Sequence, residues 1–150
     1  MGSLQIGAGI SMGAGVTIQS TPASGNFLAL CSSSGASFNI YPWRGSAGFG
    51  TKLADPATAA GTVGNGVAWS PSGADIAIAH ATSPFVSAYP FTSGLPFGTA
   101  SIGTKYSDPA TLPTGNGNGI AFSPSGADLA VAHATTPFVS VYPWTTGTGF

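Results

Sequence analysis

The stretch Gly64–Phe91, GNGVAWSPSGADIAIAHATSPFVSAYPF, returns 53 residues later as Gly117–Trp144, GNGIAFSPSGADLAVAHATTPFVSVYPW, with 21 of 28 positions identical. Self-similarity at a fixed period marks a repeat architecture, so this pair decides the fold. Six of the seven differences exchange one apolar residue for another: Val67/Ile120, Trp69/Phe122, Ile76/Leu129, Ile78/Val131, Ala88/Val141 and Phe91/Trp144. Equivalent buried sites tolerate such swaps. The seventh is Ser83/Thr136. A worn third copy precedes them. Asn26–Cys31 (NFLALC) and Phe38–Trp43 (FNIYPW) fall into line when Tyr41, Tyr89 and Tyr142 are superposed. The connector Gly50–Thr58 also returns, as Gly103–Thr111, after an insertion around Leu95–Ser101.

Each unit reads as three short strands. Val67–Trp69 runs into Ser70-Pro-Ser-Gly-Ala-Asp75, whose Pro and Gly supply turn geometry, and Ile76–His80 returns as the second arm of a hairpin. Ala81–Pro84 is the next turn, and Phe85–Tyr89 is a third strand that Pro90 stops. Ile76, Ile78 and His80 point one way, Ala77 and Ala79 the other. One face is therefore bulky and the other small but still apolar, the pattern of a sheet covered on both sides. The expected fold class is all-β: about three tandem, propeller-blade-like antiparallel sheets (about 21–49, 50–102 and 103–150, together 21–150) behind an N-terminal Gly-rich β arm at 1–20.

Composition narrows the function. Only seven of 150 residues are charged, three Lys or Arg and four Asp, and the net charge is −1. Ordinary soluble domains carry roughly a quarter charged residues. Three cations offer no track for neutralising phosphates, which argues against nucleic-acid binding. The longest stretch without Gly or Pro is ten residues, too short for the usual helix. No basic leader with an apolar stretch opens the chain, and no segment is long and apolar enough to insert in a membrane, so neither a signal peptide nor membrane insertion is expected. Cys31 has no second cysteine to bridge and matches Ala79 and Ala132, so it reads as a small buried hydrophobe. A surface so poor in charge favours association.

The arm has its own period. Leu4 and Ile6, Ile10 and Met12, and Val16 and Ile18 are apolar pairs recurring every six residues, with Gly-Ala-Gly spacers between them. Alternation at two is strand periodicity. One reading gives the first blade an outer strand that it otherwise lacks. Another makes Leu4, Ile6, Ile10, Met12, Val16 and Ile18 an attachment arm that pairs main chain with neighbouring subunits. A phosphate cradle would need a Lys after the glycines and a helix behind them, and neither follows.

These residues resemble a known pattern. Val67-Ala-Trp-Ser-Pro-Ser-Gly-Ala-Asp-Ile-Ala77, with Val139-Ser-Val-Tyr142 from the second copy, is similar to the inner strands of Trp-Asp-repeat β-propeller blades over about two thirds of the chain. Tyr-Pro-Trp (Tyr41–Trp43, Tyr142–Trp144) or Tyr-Pro-Phe (Tyr89–Phe91) stands where Trp-Asp would be, and the Gly-His dipeptide is missing. The polar tetrad of that family is therefore not carried over. Together with Gly48-Phe-Gly-Thr-Lys52 and Ser-Pro-Ser-Gly-Ala-Asp, the Tyr-Pro-Trp cassette resembles repeats in tailed-bacteriophage structural proteins, which implies a virion component assembled in the host cytoplasm. Three units fall short of the roughly four to eight blades that close a propeller. The expectation is that neighbours complete the ring, either as a homo-oligomer or within a longer array.

Chemistry finds little footing. His80 and His133 end equivalent strands and could serve a Ser-His-Asp arrangement with Asp75 or Asp128, but a residue stamped into each repeat suits a turn-binding role better. No ligand cluster for a metal is visible. Asp55 and Asp108 precede Pro, and Asp75 and Asp128 flank a hairpin turn, all positions that serve turn geometry. The aromatics Trp43, Phe91 and Trp144 recur after Tyr-Pro. They either stack on sugar rings of host surface glycans or fill gaps between blades and subunits. The sequence thus points to a non-enzymatic structural protein without catalytic, cofactor or metal residues, a virion component (capsid decoration, tail or fibre) whose partners are copies of itself and other virion proteins. The alternative is a lectin-like receptor-recognition module.

Overall fold

The computed structural model describes residues 16–21, 25–33, 35–94 and 99–150. They form three antiparallel sheets in tandem. Sheet 1 has the order β1(Val16–Thr21), β2(Gly25–Cys31), β3(Phe38–Trp43); sheet 2 has β4(Gly64–Trp69), β5(Asp75–His80), β6(Val86–Thr92), β7(Ser101–Ile102); sheet 3 has β8(Gly117–Phe122), β9(Asp128–His133), β10(Val139–Pro143). A 3-10 turn spans Gly45–Ala47. The sheets are open blade-like units that do not close on themselves.

The turns follow from local chemistry. In Ser70–Asp75 the Ser70 hydroxyl accepts from the Asp75 N–H, the Ser72 hydroxyl from the Ala74 N–H, and Gly73 takes φ 72°. Ser123–Asp128 repeats every one of these features, with Gly126 at φ 76°. Both hairpins then shift register between their first two glycines, Gly64/Gly66 and Gly117/Gly119, which makes Asn65 and Asn118 bulge residues. The next turn ends in all three units on a residue in the left-handed region: Ser37, Phe85 and Phe138, at φ 73°, 69° and 69°. Its carbonyl accepts from the last residue of the preceding strand or the residue just after it (Ser32, His80, His133). The connectors add a further pair, with Leu53 donating to Ile40 and Tyr106 to Ala88.

The alternation of bulky and small residues is what stacks the sheets. Ile76, Ile78, Tyr89 and Phe91 on the bulky face of sheet 2 meet Phe27, Ala29, Phe38 and Ile40 of sheet 1 in one core. Ala77, Ala79, Val86 and Ala88 on its small face meet Leu129, Val131, Tyr142 and Trp144 of sheet 3 in a second core. All six residues of β5 are buried, as a strand covered on both faces requires. Each large side chain enclosed this way contributes about 1.5–3 kcal/mol.

Two expectations are revised. Val16–Thr21 does add an edge strand to the first sheet, at the inner edge and not the outer one. It pairs with β2, with Val16 opposite Leu30 and Ile18 opposite Leu28, and it occupies in sheet 1 the place of β4 and β8, against β4 of the next sheet. Val16 and Ile18 thus pair on one side with their own sheet, at whose edge β1 lies, and the first unit takes in residues that the sequence reading left in the arm. Leu4, Ile6, Ile10 and Met12 lie outside the described residues. The second unit has a short fourth strand, with Phe91 opposite Ile102 and Thr92 opposite Ser101.

Candidate functional site: the joints between sheets

The two internal joints are built to one plan. At the inner end, a Cβ on Gly64 would sit 2.0 Å from the Ser37 carbonyl oxygen, and one on Gly117 would sit 2.4 Å from that of Phe85. Only glycine lets the left-handed turn of one sheet touch the first strand of the next this closely. Asn65, freed from the ladder by its bulge, donates from Nδ2 to the Gly117 carbonyl at 2.8 Å and ties sheet 2 to sheet 3.

At the outer end the joints differ in chemistry. In the first, Phe27 meets Phe91 edge to face at 5.0 Å, with Trp69 against the same ring at 4.6 Å. In the second, the place of Phe27 is taken by Asp75, fully buried, and that of Phe91 by Trp144. Trp144 Nε1 donates to Asp75 Oδ2 at 3.3 Å, the Tyr106 hydroxyl to Oδ1 at 2.6 Å, and the Gly147 N–H to Oδ1 at 3.4 Å. Burial, with the carboxylate beside it, pushes the Tyr106 phenol above its ordinary range, so it stays a donor. Three donors on a carboxylate with no cation are what make its burial tolerable. Asp75 thus does more than shape a turn, and sequence reasoning missed this because its partner stands 69 residues away.

The aromatic residues fall into two groups. Phe91 and Trp144 are each 5% exposed and sit between sheets, which fits the gap-filling reading and leaves no face for a sugar. Trp43 is half-buried and stacks with Phe49, itself 47% exposed, at 4.7 Å. The histidines are cross-strand pairs. His80 Nε2 lies 3.0 Å from Ser87 Oγ, and Ser87 donates its proton to the Ala60 carbonyl. The hydroxyl can then only accept from the imidazole, which fixes the neutral ring as the Nε2–H tautomer. Both residues are fully enclosed, so no substrate reaches them. His133 repeats the bond to Ser140 at 3.0 Å and faces the Thr114 hydroxyl at 3.3 Å through Nδ1. Among the described residues no three His, Cys, Asp or Glu side chains gather where they could hold a metal ion. Lys52 pairs with Asp55, and Lys105 with Asp108, on the surface of the connectors.

What remains uncovered is the small face of sheet 3. Val86 and Ala88 are 0% exposed, whereas their counterparts Val139 and Val141 are 49% and 60% exposed, and Phe138 beside them is 58% exposed. A groove of about 490 Å³ along β10 is lined by Val139, Val141, Tyr142, Phe150 and the Pro109–Thr111 connector.

No family model and no curated protein matches the chain. Among solved structures it is similar to a functionally unknown protein from Desulfotomaculum acetoxidans, at 15% identity and TM-score 0.64, over 91% of this chain and 40% of that one. It is also similar to a protein from Bacteroides fragilis named as a putative 6-phosphogluconolactonase (17%, TM-score 0.57, 83% of this chain and 33% of that one). A chain of the mitotic checkpoint complex matches at 18% and TM-score 0.54, over 84% of this chain and 35% of that one. These likenesses are of fold alone, an all-β fold of tandem blade-like sheets. The chain spans well under half the length of each of these neighbours.

Proposed function

We propose that the protein is a non-enzymatic assembly component that works by stacking sheet on sheet, and that its setting is a bacteriophage virion, as capsid decoration, tail or fibre. The observation that carries this reading is the pair Val139 and Val141, exposed at positions where the preceding sheet buries Val86 and Ala88 completely. A face whose sequence is shaped for cover, on a chain with seven charges, loses little on desolvation when another sheet arrives. The virion setting draws its support from the resemblance of the Tyr-Pro-Trp cassette to repeats of tailed-phage structural proteins. Purified particles from a host carrying this gene, analysed by mass spectrometry and antibody labelling, test it: stoichiometric, surface-located protein is the expected result, and absence from particles overturns the setting.

A second reading, host-glycan recognition, is favoured by one observation, the partly open Trp43–Phe49 ring pair. Glycan-array binding abolished by Trp43→Ala in a folded protein would establish it.

A further inference from the structure

The two joints inside the chain predict what a third must look like. Residues of β2 and β3 in sheet 1 correspond to those of β5 and β6 in sheet 2 at an offset of 48, and residues of sheet 2 to those of sheet 3 at 53. The downstream face of sheet 3 therefore presents the counterparts of the face that sheet 3 itself covers on sheet 2: Ala130, Ala132, Val139 and Val141 for Ala77, Ala79, Val86 and Ala88. Of these four, Ala132, Val139 and Val141 are exposed. The upstream face of sheet 1 presents the counterparts of Leu129, Val131, Tyr142 and Trp144, namely Leu28, Leu30, Tyr41 and Trp43. Leu28 is buried, and the other three are half-buried.

Which partner fits is written in the polar pair. A joint in this chain holds either two phenylalanines, Phe27 with Phe91, or an aspartate with a tryptophan, Asp75 with Trp144. The counterpart of Asp75 on the open face is Asp128, exposed and without a salt-bridge partner among the described residues. The counterpart of Trp144 on sheet 1 is Trp43. The two ends of the chain carry matched halves of the Asp–Trp joint. Ser46 supplies an N–H where Gly147 donates to Asp75, and exposed Asn118 stands where Asn65 bridges to the next sheet.

We infer that the open face of sheet 3 seats sheet 1 of a second copy of this chain, with Asp128 receiving the Trp43 indole of that copy. This rests on the assembly reading above. Made reciprocally about a two-fold axis, two such joints give six sheets, inside the range of roughly four to eight that closes a propeller. On the inner strand, Val16 and Ile18 pair with Leu30 and Leu28 as Val67 and Trp69 pair with Ile78 and Ile76, so β1 is the main-chain counterpart of Val67–Trp69 at this joint. Tyr106 reaches Asp75 from the connector that follows sheet 2 and has no counterpart on the upstream face of sheet 1, so Asp128 gains two donors from that sheet where Asp75 has three in all.

Sedimentation velocity on the full chain tests the inference. A dimer is expected at micromolar concentration. Val141→Glu, at a site 60% exposed, should give a monomer with an unchanged circular dichroism spectrum. Asp128→Ala should weaken dimerisation about tenfold or more, and Trp43→Phe should add nothing on that background, as coupled partners require. A monomer at tens of micromolar, or association indifferent to both Val141→Glu and Asp128→Ala, overturns the second-copy assignment. A chain that is monomeric alone yet present in purified particles fails here while the assembly reading stands, its open face then belonging to a different protein.

Discussion

The indole of Trp144 and the carboxylate of Asp75 meet at 3.3 Å in the buried seam between two sheets that share most of their sequence. The equivalent seam one unit earlier joins Phe27 to Phe91 with no hydrogen bond required. One backbone plan thus accepts two chemistries at this pair of positions: an acceptor with donors, or two apolar rings, beside which the Trp69 indole N–H lies buried without a partner. A mixed pair would bury either an unpaired carboxylate or an orphaned N–H, and both are costly.

That pairing is measurable. Asp75→Ala should destabilise the chain by about 3 kcal/mol, because it strands the Tyr106 hydroxyl and the Trp144 N–H inside the seam. Trp144→Phe should cost less on that background than alone, since it removes a donor that has already lost its acceptor. Urea unfolding of the two single variants and the double variant gives the coupling, expected at about 1 kcal/mol.

Contact at the inner end of the joint is tighter still, and glycine alone fits it. Gly117→Ala drives a methyl to 2.4 Å from the Phe85 carbonyl and 3.0 Å from the Ala79 Cβ, so a loss of about 2–3 kcal/mol is expected. Gly119→Ala is the control. Its Cβ would meet nothing closer than Ala132 at 3.9 Å, and the change should be neutral or slightly stabilising through the unfolded chain. Equal effects at the two positions in thermal melts would contradict this account of the joint.

How much of this was legible beforehand depended on where the determining residues lie. The hairpins of sheets 2 and 3 were readable because Pro, Gly and Ser fix their turns locally, and the two faces of β5 because Ile and Ala alternate within six residues. β1 was obscured because Val16–Thr21 lacks the Gly-Asn-Gly lead of β4, and its Ile18 completed a hexad pattern that pointed into the arm. The cue that would have placed it is Thr21-Pro22 with Gly25, which echoes Ser70-Pro71 with Gly73. Burial of sheet 3 was out of reach for a different reason. β5 (DIAIAH) and β9 (DLAVAH) are nearly the same strand, yet one is wholly buried and the other is exposed at Asp128 and Ala132. Cover is a property of the neighbour, and the strand's own residues record only that it can be covered.

Cys31 stands where Ala79 and Ala132 stand, and its half-buried position raises the thiol from 9.0 to about 11 through desolvation. The thiolate is the nucleophile, so at pH 8 the reactive fraction falls about a hundredfold below that of an ordinary cysteine. Iodoacetamide labelling of the native chain should be slower by that factor than labelling in urea. Similar rates in the two states would mean that the site opens readily.

Phe138 occupies the left-handed region at φ 69° with 58% of its surface exposed, so it carries backbone strain for little burial in return. Asparagine accepts this conformation at lower cost. Phe138→Asn should therefore raise the unfolding free energy of dilute protein by about 0.5–1 kcal/mol. The same change at Phe85, which shares the φ but is half-buried, should gain nothing, because lost cover offsets the relieved strain. Thermal melts of the two variants side by side separate the contributions.

His80 makes stability depend on pH. Desolvation holds its imidazole below the ordinary 6.5. The unfolded chain then takes up the proton first, so the folded state is favoured in full above about pH 6.5 and loses ground as the pH falls below it. The slope approaches about 1.4 kcal/mol per pH unit for one proton, and it levels off once the folded ring also titrates. Protonation forces a second N–H onto Nδ1, which has no hydrogen-bond partner in its enclosed site. Urea midpoints between pH 7.5 and 5 should show this decline in the native chain. In His80→Asn the plateau should be lower, from the lost Ser87 contact, and the pH dependence over this window flatter. An unchanged slope would move the titration to another group and mean that His80 takes up its proton equally in the folded and the unfolded chain.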